Sequence, residues 1–213
     1  MTEEEAIGCD RSWSSTVVKK VQRGWCEHCL QPGRLGIGNT TTSSAVAAAL
    51  LNCETAAITG KGAGLSDAGL LHKIAVIDEA RKKYQFDSKD VFRILCSVGG
   101  LDIAGMAGVF IGGAALGMPV VMDGFISCVS ALIAIKICPQ VSDHIIASHV
   151  SKEPAAHLIL KELGKEAIIH AGMCLGEGTG AVALFPMMDL SCAVYNSMST
   201  FGDINVEQYE ELK

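Results

Sequence analysis

Three glycine-rich loops, each followed by a run of small or apolar residues, constrain the fold of this chain more than any other sequence feature. The loops are residues 36–42, 59–65 and 175–180. Between them, turns alternate with apolar segments of helix length and with shorter segments of strand length. Strands separated by helices are typical of a parallel sheet. We therefore predict an α/β fold, a doubly wound, Rossmann-like parallel sheet flanked by helices.

The composition agrees with this fold class. Hydrophobic residues make up 49% of the chain and aromatic residues only 5%, and there are 23 glycines, so the apolar content consists mainly of small and aliphatic side chains. Such side chains allow helices and buried strands to pack closely. We expect one α/β domain over residues 35–202. Residues 1–34 are predicted to be an atypical segment, disordered or helical, and residues 203–213 a charged tail.

Periodicity and turn residues predict the individual elements. Leu70, Ile74 and Ile77 recur at helical spacing after Ser66, a favourable N-cap residue. The predicted helices are 40–51, 66–83, a segment from about residue 88, 101–116, 125–137, 153–163 and 182–198. The predicted strands are 55–59, 119–122 and 145–148.

The distribution of charge argues against nucleic acid as a partner and indicates the cellular compartment. The net charge is −6 and no basic block is present, so nucleic acid is not expected as a partner. The chain begins Met1-Thr2-Glu3-Glu4-Glu5, which is acidic where a secretory signal would be basic. Together with nine cysteines mostly isolated in apolar runs, this predicts a reducing cytoplasm.

One segment is long enough to cross a membrane. Residues 103–122 form twenty residues without a charge. They contain five glycines and a proline, and they lie between Asp102 and Asp123 rather than between lysines. We therefore expect a buried helix that turns at Gly117 into a buried strand, and no membrane association.

The first glycine loop has the features of an anion site. Gly36 and Gly38 allow a close backbone approach, and Asn39, Thr40 and Thr41 supply polar donors at the start of a helix. Free N–H groups at a helix start favour a phosphate. No lysine follows the second glycine, so this is not a P-loop. A tight turn with an N-cap is the alternative.

The second loop, residues 59–65, follows the predicted strand 55–59 and contains Gly62. Loops at the carboxyl ends of strands bind ligands in doubly wound folds. Lys73 lies eight residues past Leu65, where it could reach a phosphate as a point charge. A solvated helix lysine is the alternative.

The third loop holds a single carboxylate, Glu177, between Gly176 and Gly178. Apolar segments on both sides could shield this carboxylate from water, which favours a role as a general base. The alternative is a surface glutamate.

The sequence does not favour a metal or a cofactor. Cys26-Glu27-His28-Cys29 has the spacing of half a zinc site, but a second ligand pair is missing and only Cys9 is near in sequence. The three histidines between residues 144 and 157 fit no common ligand pattern, so we interpret them as ordinary loop or helix residues.

The three glycine motifs, in this order, resemble the nicotinate-nucleotide:dimethylbenzimidazole phosphoribosyltransferase family. The resemblance covers about residues 36–201. The matching stretches are GIGNTTTSSAVAAALL (36–51), TGKGAGLSDAGLLHKIAVI (59–77), SVGGLDIAGMAGVFIGGAALGMPVVMDGF (97–125), HVSKEP (149–154) and LGEGTGAVALFPM (175–187).

The resemblance implies transfer of phosphoribose from nicotinate mononucleotide to 5,6-dimethylbenzimidazole, giving α-ribazole 5'-phosphate and nicotinate in cobamide lower-ligand assembly. It implies that Glu177 is the general base and Asp123 a supporting residue. It also implies a homodimer that needs no metal or cofactor. The family's phosphate contacts map onto the Gly36/Gly38 loop, Gly62, Lys73 and Ser151.

This chain also departs from the family. Family members are longer, and we expect the N-terminal part that helps enclose the benzimidazole to be missing here. Arg34 stands where the family usually has a glutamate, and residues 9–34 do not resemble the family. A fragmentary or frame-disturbed gene product would explain this patch. The alternative function is a truncated, weakly active or inactive homologue that binds nucleotide or pairs with a full-length subunit.

Overall fold

The computed structural model describes residues 1–8, 11–12 and 38–207. Residues 3–8 are helical, and Ala6 among them is buried in the main core. The further elements are α1 (Asn39–Leu51), α2 (Thr55–Ile58), α3 (Asp67–Tyr84), α4 (Val91–Val98), α5 (Leu101–Ala115), β1 (Val120–Met122), α6 (Phe125–Ile137), a 3-10 helix (Pro139–His144), β2 (Ile145–Ala147), α7 (Ala156–Leu163) and α8 (Thr179–Ser197).

Helices α5 and α6 form the centre of the core. Every residue over 103–110 of α5 and over 125–134 of α6 is buried. A helix that is apolar on all sides must be covered on all sides, and α6 packs against α5, α7 and α1. The small residues predicted to allow close packing therefore lie at the helix contacts.

The sheet in the described part of the chain is small and parallel. Strand β1 pairs with β2 in the register Val120 with Ile145 and Met122 with Ala147. Two of the three predicted strands are thus confirmed, and α6 forms the crossover between them. The described fold is mixed α/β, mostly helical, with a parallel sheet.

The predicted strand over residues 55–59 is wrong, because this segment forms α2. The Thr59 hydroxyl donates to the Thr55 carbonyl at 2.7 Å, which closes a helical turn. Thr55 in turn bonds the Asp78 carboxylate and accepts a hydrogen bond from Arg81 of α3. A short apolar run is ambiguous between helix and strand, and contacts with α3 decide the outcome here.

The predicted helices are confirmed, and three of them begin about three residues away from the predicted start. Ser66 caps α3 by accepting the Gly69 N–H at 3.1 Å, as expected. Helix α4 starts at Val91 because Asp90 caps it, and α7 starts at Ala156 rather than at residue 153. Helix α8 starts three residues earlier than predicted, at Thr179.

The long uncharged segment folds as predicted. It forms α5, a turn at Gly117 with φ of +65°, and then β1. None of the helices in the described ranges has the length and apolar character needed to span a bilayer.

Several predictions concern residues outside the described ranges. Gly36, Arg34 and the Cys26–Cys29 motif all lie within 13–37, and the end of the tail lies within 208–213. Among the residues that are described, no three His, Cys, Asp or Glu side chains cluster in a way that could hold a metal ion.

Candidate active site

A cavity of about 290 Å³ lies at the carboxyl ends of β1 and β2, where the three glycine loops meet. This is the edge at which open parallel sheets bind ligands. From the predicted set, its lining includes Gly38, Thr40, Gly62, Asp123, Ser151, Gly176 and Glu177. Residues as far apart in sequence as Gly38 and Glu177 thus share one cavity.

The first two loops are joined through Lys73. Its ammonium donates to the Thr40 hydroxyl at 3.2 Å and to the Gly60 carbonyl at 2.9 Å. Lys73 is only 5% exposed, which excludes the interpretation as a solvated helix lysine. Burial lowers the pKa of Lys73, and the nearby charge of Glu153 acts in the opposite direction.

Two predicted residues of the first loop do not line the cavity. Asn39 is buried and its side-chain amide donates to the Asp102 carboxylate at 2.9 Å, which ties the start of α1 to the start of α5. The Thr41 N–H donates to the Gly38 carbonyl at 2.9 Å within the turn. Asn39 and Thr41 therefore stabilise the conformation of the first loop without lining the cavity.

The third loop is held by Asp123, at the end of β1. Its carboxylate accepts the backbone N–H groups of Gly178 (3.1 Å), Gly180 (2.8 Å) and Ala181 (3.2 Å). A carboxylate at these N–H groups also interacts favourably with the dipole of α8. Asp123 therefore caps α8 from another part of the chain, which explains why this helix begins earlier than local sequence predicts.

Glu177 lies in this anchored loop with an unusual backbone conformation. Its φ is +58°, between Gly176 at +74° and Gly178 at +79°. A left-handed conformation costs a non-glycine residue about 1 kcal/mol or more, so the surrounding structure must impose it. The shielding expected for Glu177 is not observed, because the residue is exposed in the described structure.

His149 is a site residue that sequence reasoning missed. It is buried, lines the cavity, and lies with Nδ1 at 3.0 Å from the Ser148 hydroxyl and 4.0 Å from the Asp123 carboxylate. Burial lowers the pKa of His149, and the Asp123 charge partly offsets this. A Cβ on Gly180 would overlap the imidazole. Its position directly after the predicted strand 145–148, two residues before Ser151, was the available signal.

Comparison with known proteins identifies the family. The DBI_PRT family model, described as phosphoribosyltransferase, matches residues 1–206. The chain belongs to this family. The match includes residues 9–34, so the expectation that these residues do not resemble the family is wrong.

The relatives carry a more specific name. The chain is 42% identical over 213 residues to the nicotinate-nucleotide--dimethylbenzimidazole phosphoribosyltransferase of Ruminiclostridium cellulolyticum, covering 100% of this chain and 60% of the relative. For the protein of the same name from Acetivibrio thermocellus the identity is 42%, covering 99% and 59%. The chain thus spans about 60% of the length of these curated relatives.

The fold is also shared with a solved structure. The crystal structure of CobT from Thermus thermophilus superimposes with a TM-score of 0.90 at 32% identity, covering 98% of this chain and 62% of that one. This agreement supports the mixed α/β fold described above.

Proposed function

We propose that this phosphoribosyltransferase family member transfers phosphoribose from nicotinate mononucleotide to 5,6-dimethylbenzimidazole, producing α-ribazole 5'-phosphate and nicotinate for cobamide lower-ligand assembly. The observation that carries the proposal is that Thr40, Ser151 and Glu177, from three separate loops, line one cavity. The name of the relatives supplies the substrates.

The phosphate is proposed to bind between the first two loops. Thr40 and Lys73 offer donors there, and the start of α1 adds a favourable dipole. The Ser151 hydroxyl oxygen accepts the Glu153 N–H at 3.3 Å, which leaves its own hydrogen to donate to the phosphate. Gly62 completes this side of the cavity.

Glu177 is proposed as the general base. It removes the N–H proton of the benzimidazole while the other ring nitrogen bonds to the anomeric carbon of the ribose. The bond from that carbon to the pyridinium nitrogen breaks, and its electron pair leaves with nicotinate. Attack on the face opposite the leaving group converts the β configuration into α. Because Glu177 is exposed, we propose that the bound base covers it.

The remaining predicted site residues are assigned to holding these groups in place. Asn39 and Thr41 shape the phosphate loop, and Asp123 holds the loop of Glu177 through Gly178 and its neighbours. Gly176 lines the cavity beside Glu177.

The finer features of the fold and location are also proposals. Strands β1 and β2 are proposed to belong to a doubly wound, Rossmann-like sheet, which their parallel pairing and the α6 crossover support. The six cysteines in the described ranges are free, which agrees with a cytoplasmic location. We propose neither nucleic acid nor membrane as a partner.

Release of nicotinate tests the proposed activity. The purified chain is mixed with nicotinate mononucleotide and dimethylbenzimidazole, and nicotinate is quantified by liquid chromatography. We expect release that depends on the benzimidazole, with omission of the base as the control. Binding of the nucleotide without release, or release only with a full-length relative added, would favour the alternative of an inactive or pairing homologue. Absence of both binding and release would contradict the assignment.

A homodimer is proposed from an exposed apolar stripe along α8. Leu190, Val194 and Tyr195, with Met198 just after the helix, are between 46% and 86% exposed. Contiguous exposed apolar surface of this kind is typical of protein interfaces.

We expect the chain to elute as a dimer in size-exclusion chromatography with light scattering, and Leu190→Asp to convert it to a monomer because a carboxylate would be desolvated in the interface. Leu71→Asp, at an exposed leucine of α3, is the matched control and should leave the dimer intact. A monomeric wild type would contradict the proposal.

A further inference from the structure

Two opposite charges approach Gly60 from different parts of the chain. The Lys73 ammonium donates to the Gly60 carbonyl at 2.9 Å. The Glu153 carboxylate packs against the same residue so closely that a Cβ on Gly60 would overlap Glu153 Oε2. Glycine at this position therefore allows both charged side chains to approach the same residue.

One carboxylate oxygen of Glu153 lacks a hydrogen-bond donor. Its Oε2 is buried and has no hydrogen-bond partner among the described residues. A desolvated carboxylate oxygen is costly unless an opposite charge offsets it. Glu153 also lines both the main cavity and an adjoining one of about 320 Å³.

Lys73 is a buried cation whose hydrogen-bond acceptors carry no negative charge. Its two acceptors in the described structure, the Thr40 hydroxyl and the Gly60 carbonyl, are both neutral groups. Burial alone favours the uncharged amine, and the charge of Glu153 opposes that effect.

Four other charged groups of the second loop and of α3 contact other residues. Lys61, in the same loop, pairs with Asp67 at 2.6 Å on the exposed surface. Asp78 and Arg81, farther along α3, contact Thr55. Glu153, by contrast, packs against Gly60, the residue whose carbonyl accepts a hydrogen bond from Lys73.

We propose that Glu153 is the positioning residue for Lys73: its carboxylate keeps the buried ammonium charged beside the phosphate side of the cavity. The inference deepens the proposed function, because a charged Lys73 is what the nucleotide phosphate would meet. Glu153 itself does not need to touch the phosphate.

The ionisation of Lys73 tests this inference without any substrate. Lysine side chains are labelled with ¹³C and their signals are followed by NMR as pH rises, with Lys73→Arg used to assign the Lys73 signal. We expect Lys73 to titrate at lower pH in Glu153→Gln than in the wild type, and Glu153→Asp to remain near the wild type because it retains the charge. Glu79→Gln removes an exposed glutamate from α3 and is the matched control. An unchanged Lys73 titration in Glu153→Gln would overturn the proposal.

Nucleotide binding provides the functional measurement. Calorimetry with nicotinate mononucleotide, carried out from neutral to alkaline pH, should show roughly equal affinity for wild type and Glu153→Gln at the lower end of the range. At the upper end the variant should bind about fivefold more weakly, an effect of the size expected when a charged neighbour is removed. Parallel pH profiles would overturn the proposal.

The two proposals fail in different ways. If the wild type does not bind the nucleotide at any pH, the proposed function fails, while the NMR titration still decides the role of Glu153. If Glu153→Gln does not fold, Glu153→Ala removes the same charge with a smaller side chain and is titrated in its place.

Discussion

Glu177→Gln is expected to lower turnover by about 10²–10⁴-fold, the usual loss when a positioned general base is removed. Glutamine is nearly isosteric and keeps hydrogen-bonding groups at the cavity, but it cannot accept the benzimidazole proton. The nucleotide phosphate is proposed to bind on the other side of the cavity, so affinity for nicotinate mononucleotide should be nearly unchanged.

Steady-state nicotinate release and calorimetry measure the two quantities separately. Glu166→Gln, at an exposed glutamate outside the cavity lining, is the matched control and should retain full turnover. A kcat of the Glu177→Gln variant close to that of the wild type would show that another group removes the proton.

Asp123→Ala is expected to lower the free energy of unfolding by about 3 kcal/mol or more, and turnover with it. The carboxylate is buried and accepts three backbone N–H groups of the third loop and α8. Hydrogen bonds to a charged group contribute about 1.5–3 kcal/mol each, although such contributions are not additive. Turnover falls because the loop that carries Glu177 loses its anchor.

Urea denaturation of the wild type and the variant measures the stability change. Asp203→Ala is the control, because Asp203 also accepts a backbone N–H, from Thr200 at 2.8 Å, but is exposed. We expect a much smaller loss of stability than for Asp123→Ala, because water replaces the lost contact at an exposed site. Equal denaturation midpoints for Asp123→Ala and wild type would show that α8 does not depend on this cap.

Local sequence determined most of the helices and the location of the candidate site. The N-cap of α3 is a contact between Ser66 and Gly69, three residues apart, and it was predicted because both partners lie in the same turn. Helix α6 spans 125–137 as expected, because an apolar run of this length between turn residues has few alternatives. The glycine loops likewise showed which segments could approach a ligand.

Tertiary contacts decided which residues in and near those loops are buried and which are exposed. Lys73 is buried because Thr40 and Gly60 fold over it from segments 33 and 13 residues away. Glu177 is exposed, although the residues around it in sequence suggested shielding. No local sequence pattern predicts the burial of Lys73 or the exposure of Glu177, because burial depends on which distant segments cover a side chain.

The same reason explains the errors at α2 and α8. Residues 55–59 have an apolar pattern that suits a strand, and contacts of Thr55 with α3 select a helical turn instead. The start of α8 is set by Asp123, 57 residues before Gly180 in sequence. His149 belongs to the site because pairing of β2 with β1 places its imidazole 4.0 Å from the Asp123 carboxylate. Sequence periodicity reports local conformational preference, whereas the partners of a buried polar group are chosen by the packing of the whole chain.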